Sequence, residues 1–261
     1  MFAVTHAQAQ SNRFVRTTLE GRRIWRSRYF GPAPSPEDSS SLAPEAGAVE
    51  YADPAPGELR EPQAFLIEQE PGAIVQPHFH YVDQFQVVAA GGGLLGRHEM
   101  APLSVHFAAA CTGYGPIRPG DEGLSYFTFR ASADETGAQY LPAARSRMRP
   151  GQRRNEVVDQ IHLTPQEDLA RRTESRLETA LEHEDGLAVC LYRMAPGASA
   201  HAIDASLGRG VTLMVATGSL RQSDGVFPRW SCFFVEREEG RLPLQAGPEG
   251  AEVLMLRYPA G

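Results

Sequence analysis

The chain has 261 residues, 42% of them hydrophobic and 22% charged, with 25 glycines and 20 prolines. That provides for one large or two small globular cores joined by many turns. A net charge of −7 disfavours nucleic acid and anionic membranes as partners, and the 25 basic residues are all arginine, which excludes Schiff-base or general-base chemistry on a lysine.

The opening residues, MFAVTHAQAQSNRF, lack the charged n-region and sustained apolar h-region of a signal peptide. Residues 1–60 read as an N-terminal arm. Within it, RFVRTTLEGRRIWRSRYFG alternates enough for one or two short strands, and residues 32–63, rich in Pro, Ser, Ala and Glu, follow neither a strand nor a helix period. From Gln63 to about Arg130, short apolar runs alternate with Gly and Pro turns, the pattern of antiparallel β structure. Residues 144–185 differ. Thr164 before Pro165, Gln166 and Glu167 predicts a helix start, and Leu169, Ala170, Leu177, Ala180 and Leu181 give that helix a thin apolar face. From Gly186 the short β runs return.

That return is a repeat. Sliding the chain by 127 positions lays residues 84–130 on 211–257 without a gap, and eleven of the 47 pairs are identical, among them Val88/Val215, Gly91/Gly218, Phe107/Phe234, Gly123/Gly250 and Arg130/Arg257. Upstream, Pro71-Gly72-Ala73 matches Pro196-Gly197-Ala198 at an offset of 125. The matched glycines fall at turns and the matched apolar residues in runs, which indicates a duplicated β domain.

Cys111, Cys190 and Cys232 are too few and too scattered for a disulfide framework or a thiolate zinc site. No run approaches the ~18 apolar residues needed to span a bilayer. A cytoplasmic protein with no membrane partner is expected.

The chemistry concentrates in PGAIVQPHFHYVDQFQVVAAGGG, residues 71–93. On a strand, His78, His80, Val82, Gln84 and Gln86 share a face. Two imidazoles so placed can reach one cation at roughly 2.0–2.2 Å, and Gln84 can add an amide oxygen. Gln86 reads as a hydrogen-bonding group of the pocket wall. His106 sits in a strand, either as a packed histidine or as a catalytic base. The glycines at 91–93 form a hairpin turn, because no helix start or Lys-Ser/Thr follows them.

These residues resemble the cupin superfamily. Its first motif, G-x5-H-x-H-x3-E-x6-G, is matched at Gly72, His78, His80 and Gly91, with Gln84 in place of the glutamate. Its second motif threads onto residues 104–130 with Tyr114 at the histidine and Arg118 at the asparagine. The resemblance covers about 60–143 and 186–261. It implies an all-β bicupin, with a jelly-roll barrel at 61–143 carrying the site, a partly helical linker at 144–185 and a second barrel at 186–261. It implies further a divalent first-row transition metal (Fe, Mn, Ni or Zn) on His78, His80, Gln84 and Tyr114, and a homodimer. Tyr114 is a ligand, a hydrogen-bond donor to substrate, or a ring filling the barrel mouth. In the second copy these four positions fall on Ala205, Leu207, Val211 and Arg241, and His201 has no partner two residues away, so that barrel is expected to be structural.

Two functions follow as expectations. One is a metal-dependent enzyme, a dioxygenase, isomerase or lyase acting on a small oxygen-rich metabolite. Since an amide has no useful pKa, its base would be Tyr114, His106 or a metal-bound hydroxide. The other is a non-catalytic bicupin that binds or senses a small molecule.

Overall fold

Short alternating runs separated by glycine and proline turns form strands throughout the chain. The computed structural model describes residues 1–260 except 19, 33–50, 53, 56, 57, 59, 152 and 224. Much of the Pro/Ser-rich loop expected within the first 60 residues therefore lies outside the described residues. The chain divides into two units, one of Ser11–Ile161 and one of Met1–Gln10 with His162–Gly261.

In chain order the strands are β1 (Phe2–Val4), β2 (Phe14–Thr17), β3 (Arg23–Phe30), β4 (Gln63–Gln69), β5 (His78–Phe79), β6 (Gln84–Leu95), β7 (His98–Met100), β8 (Val105–Ala108) and β9 (Ile117–Arg130). They continue as β10 (Gln139–Tyr140), β11 (Asn155–Val158), β12 (Arg176–Glu182), β13 (Ala188–Met194), β14 (Ser199–His201), β15 (Val211–Gln222), β16 (Gly225–Pro228), β17 (Cys232–Val235) and β18 (Pro243–Arg257). The N-terminal unit holds an antiparallel sheet in the order β11-β8-β6-β9-β4-β3-β2, with β7 on β6 and a separate β5–β10 pair. The C-terminal unit holds β1-β17-β15-β18-β13-β12, with β14 on β18 and β16 on β15.

The duplication is visible in the register. Phe85 faces Phe129 and Phe107 across β6. At the same 127 offset, Thr212 faces Leu256 and Phe234 across β15. Both copies carry bulges at matching places, Val88/Ala90 with Val215/Thr217 and Gly91/Gly93 with Gly218/Leu220. The repeated glycines have a steric cause there. Gly91 and Gly218 adopt φ of +69° and +71°, and a Cβ on either would lie 2.3 Å or 2.1 Å from the carbonyl oxygen of Gly123 or Gly250.

Among the described residues helix is confined to short pieces. The helix expected from Thr164 is a single turn, α2 (Gln166–Leu169), following the α1 turn His6–Gln10. Pro165 rather than Thr164 is its N-cap, and the Thr164 hydroxyl instead donates to Glu252 at 2.6 Å. Leu177 and Leu181 lie on β12, paired with β13. The open edge of β13 offers six aligned residue pairs, and that ladder outweighs a weak local helix preference. β11, also in the segment expected as linker, pairs with β8.

One pairing has no local signal. β1 lies on β17 with Phe2 opposite Phe234, the position that Glu156 of β11 holds opposite Phe107 in the other unit. The first residues of the chain thus cover the C-terminal sheet edge. Deleting residues 1–4 should raise amide exchange in Cys232–Val235 at least tenfold by mass spectrometry and leave Val105–Ala108 unchanged. Equal change in both strands would contradict the pairing.

Candidate binding site in the N-terminal barrel

Alternation along β6, β8 and β9 places Gln84, Gln86 and Val88, His106 and Ala108, and Tyr126, Thr128 and Arg130 on one face. Part of this face is apolar, with Val88, Leu95, Met100, Tyr114, Ile117, Leu124 and Tyr126 packed in one cluster. The rest is polar and equally buried: His78 is 3% exposed, Gln84 1%, Gln86 5%, His106 1% and Arg130 6%. Buried polar groups need partners, and those partners define the site.

His78 and Tyr114 exchange both backbone hydrogen bonds at 3.0 Å, which brings their rings to 4.5 Å between centroids. The His78 and His80 rings stand edge-to-face at 5.2 Å. His78 Nδ1 lies 2.7 Å from the Gln76 carbonyl, so that nitrogen donates and Nε2 stays open. Gln84 donates through Nε2 to the Tyr114 hydroxyl. β10 lies against this strand, with Tyr140 opposite His78 and the two rings 5.8 Å apart.

The centre of the cluster is Arg130. Register brings it between Gln63 of β4 and Gln84 of β6. Its Nη1 donates to Gln63 Oε1 at 2.9 Å, and its Nε and Nη2 donate to Gln84 Oε1 at 3.3 and 3.1 Å. Nη2 also lies 3.1 Å from the His80 ring nitrogens. On its far side His80 Nδ1 meets Asp134 Oδ2 at 3.1 Å, and Asp134 accepts further from the Tyr81 amide and from Thr136. A neutral His80 that donates from Nδ1 to Asp134 and accepts at Nε2 from Arg130 satisfies both ring nitrogens.

Burial decides the protonation states. It pushes His78 down to about 3, with His80 as the second cause, and His80 down to about 4, with Arg130 adding to burial and Asp134 opposing it. His106 is brought to about 4, again by burial. Burial raises the Tyr114 phenol above its ordinary value. Burial alone would also raise Asp134, but the His80 bond and the charge of Arg130 hold it below the usual carboxylate range. At neutral pH the three imidazoles and the phenol are neutral, and Arg130 and Asp134 are charged.

Gln86 and His106 form a second pair, with His106 Nδ1 2.9 Å from Gln86 and Nε2 3.0 Å from Asn155 Oδ1. A neutral His106 donates to one of these amide oxygens and accepts at its other nitrogen only when the facing amide turns its NH2 toward the ring, which lies 5.1 Å from that of Tyr114. The structure thus gathers His78, His80, Gln84 and Tyr114 into one cluster and sets Gln86 and His106 beside it. Arg130, Asp134, Gln63 and Asn155 carry no motif that singles them out in the sequence, although Arg130 is one of the repeated identities.

No protein-family model matches the chain, and no curated protein does. Solved structures do match. A putative dioxygenase from Nostoc punctiforme aligns over 94% of this chain and 78% of its own, at 12% identity and a TM-score of 0.58. Lactobacillus farciminis oxalate decarboxylase, solved as a formate complex, aligns over 99% of this chain and 86% of its own, at 9% identity and a TM-score of 0.57. The Escherichia coli pirin YhhW, solved with nickel(II), aligns over 95% of this chain and all of its own, at 13% identity and a TM-score of 0.52. The fold is that of a bicupin.

The cupin motif positions can be tested for their fit to a divalent ion. The acceptor of Gln84 and the free nitrogen of His80 both receive hydrogen bonds from Arg130. The donors His78, His80, Gln84 and Tyr114 include no carboxylate. Among the described residues, no group of three or more His, Cys, Asp or Glu side chains is placed to hold a metal. A divalent ion about 4 Å from a fixed guanidinium would be repelled by roughly 8 kcal/mol at an effective dielectric constant near 20. While Arg130 holds this place, the donor set does not fit a metal. No helix among the described residues is long and apolar enough to cross a membrane.

Proposed function

We propose that the N-terminal barrel of this bicupin binds a small oxygen-rich molecule and that the C-terminal barrel is its structural duplicate. One observation carries this reading. At repeat-equivalent interior positions, Gln84, Gln86, His106 and Thr128 are replaced by Val211, Leu213, Phe233 and Met255, which belong to one continuous apolar core. The same backbone therefore packs with an apolar interior in one copy, so the polar interior of the other is not a requirement of the fold. Thr128 Oγ1 is buried without a hydrogen-bond partner, as expected of a group that serves a ligand. The three buried free thiols support a reducing, cytoplasmic setting.

The test gives one barrel the apolar interior of the other. The variant Gln84→Val, Gln86→Leu, His106→Phe and Arg130→Met, which removes the buried guanidinium together with its acceptor, should fold and lose every ligand-induced rise in melting temperature found by screening polyols, sugars and small acids. A variant that keeps those responses would sink the reading.

A second reading is a metal-dependent enzyme of the dioxygenase, isomerase or lyase class, using Fe, Mn, Ni or Zn. It is favoured by the His78–His80 pair and by the dioxygenase and nickel-bound pirin among the similar structures. It requires Arg130 to leave His80 and Gln84. Elemental analysis of protein purified without chelator or nickel resin tests it, since one equivalent of metal lost in His78→Ala would remove most of the metal-free binding reading, and its absence would count against an enzyme of this kind.

A further inference from the structure

We infer that the guanidinium of Arg130 is the built-in cation of the N-terminal barrel, standing where a cupin metal would stand, and that the barrel's ligand is a small carboxylate held by it. The inference rests on the small-molecule reading above and adds the chemical class of the ligand.

The first ground is charge. Arg130 is buried, and among the described residues all its hydrogen-bond partners are neutral: Gln63, Gln84 and His80. The nearby acid, Asp134, is engaged by His80, the Tyr81 amide and Thr136. Arg26 adds a second cation. It lies half-buried over the Phe65 ring at 4.9 Å and makes no ion pair or hydrogen bond among the described residues. Burial, then Arg16 and Arg130, push it down to about 9, so it stays charged at neutral pH. Asp134 acts on Arg130 only across His80, and a buried guanidinium with no carboxylate bonded to it is costly, a cost that an anionic ligand removes.

The second ground is the duplicate. Arg257, the repeat of Arg130, donates to the Gly186 carbonyl at 2.6 Å and to Glu182 at 3.1 Å, so that copy carries its own carboxylate. Leu181 pairs with Val189 as Phe30 pairs with Ala64, at the 125 offset, which makes Gly31 the counterpart of Glu182. The N-terminal barrel has kept the arginine and has a glycine where the other copy has the acid.

The third ground is geometry. Nε and Nη2 of Arg130 both point at one amide oxygen of Gln84, the edge of the guanidinium that a carboxylate takes with two parallel bonds. Thr128, two residues before Arg130 on the same strand face, supplies an unused hydroxyl. A ligand carboxylate would displace the Gln84 oxygen and exchange a dipole for a charge.

The full chain should be melted with sodium acetate, oxalate and succinate against sodium chloride of equal ionic strength, and titrated with zinc and nickel chloride. At least one carboxylate should give a saturable rise of roughly 5–10 °C at hundredfold excess over Kd, with no stoichiometric metal uptake. Arg130→Met should lose the carboxylate response. Gln84→Glu, which supplies Arg130 with an internal carboxylate and so serves even if Arg130→Met fails to fold, should lose it as well while folding normally. No shift with any of the three acids, a shift unaltered in these variants, or one equivalent of metal in the parent would overturn the inference. A saturable response to neutral polyols that survives in Arg130→Met would overturn it and leave the small-molecule reading standing.

Discussion

Taking the protein from pH 7 to pH 4 should unfold it, through the three buried histidines of the N-terminal barrel. His78, His80 and His106 have folded-state values of about 3, 4 and 4, all lowered first by burial. In the unfolded chain each returns to about 6.5. Between those values the unfolded state binds more protons than the folded one, so stability falls as pH falls. Above about pH 6.5 both states are neutral there and the histidines contribute no slope. By pH 4 each contributes a loss of about 3 kcal/mol, and their mutual coupling leaves a total on the order of 5–10 kcal/mol. A domain in the lower half of the usual range of about 5–15 kcal/mol does not withstand the upper part of that loss. Asp134 and Glu252, both held low, add losses in the same direction below the ordinary carboxylate range. Circular-dichroism melts at pH 7, 6, 5 and 4 check this, and His106→Phe should flatten the slope by about a third. A melting temperature constant from pH 6.5 to 4.5 would refute the assignment.

The largest single-residue loss is expected in the other unit. Glu252 of β18 is fully buried, and it accepts from the Thr164 amide at 3.0 Å, the Thr164 hydroxyl at 2.6 Å, Arg193 at 2.8 Å and Arg172 at 2.5 Å. Burial alone would raise its pKa, but the Thr164 and Arg193 bonds outweigh it. This carboxylate fastens the approach to the C-terminal barrel, since Arg193 also holds the His162 carbonyl at 3.0 Å. Glu252→Ala leaves the Arg172 guanidinium and the Thr164 amide without this acceptor, while Arg193 keeps Glu178 at 2.9 Å and the His162 carbonyl, at a cost of about 3 kcal/mol. The melting temperature should fall by roughly 10 °C. Glu252→Gln keeps the acceptor oxygen and should lose less. A change under about 1 kcal/mol on Glu252→Ala would show that the network is dispensable.

What the sequence by itself determined are features that depend on spacing. Period-two alternation sets which side chains share a face, so the spacing of His78, His80, Gln84 and Gln86 is enough to make them neighbours. Glycines that recur at 91 and 218 are legible as special backbone positions, since a Cβ there would meet a carbonyl at 2.1–2.3 Å. The hairpin turn expected at 91–93 is corrected by the structure, because these glycines lie at bulges inside β6 and β15. The duplication follows from the same local marks, and the shared register and bulges show why those marks had to repeat. The weak helical period after Thr164 misleads for the converse reason, since a free strand edge on β13 is a tertiary fact that no window of local sequence contains.

Only the tertiary structure decided what stands at the centre of the barrel. Arg130 reaches His80, Gln84 and Gln63 across sequence separations of 50, 46 and 67 residues, and Asp134 reaches His80 across 54. An arginine at the end of a strand is compatible with solvent, an ion pair or a buried site, and its sequence neighbours do not distinguish these. The choice is made by which strands pair and by what they leave uncompensated. The C-terminal copy sets Glu182 beside Arg257, and the N-terminal copy has Gly31 at that place. Strand pairing of this kind is non-local, so the charge of a barrel interior is settled when the sheet closes and not before.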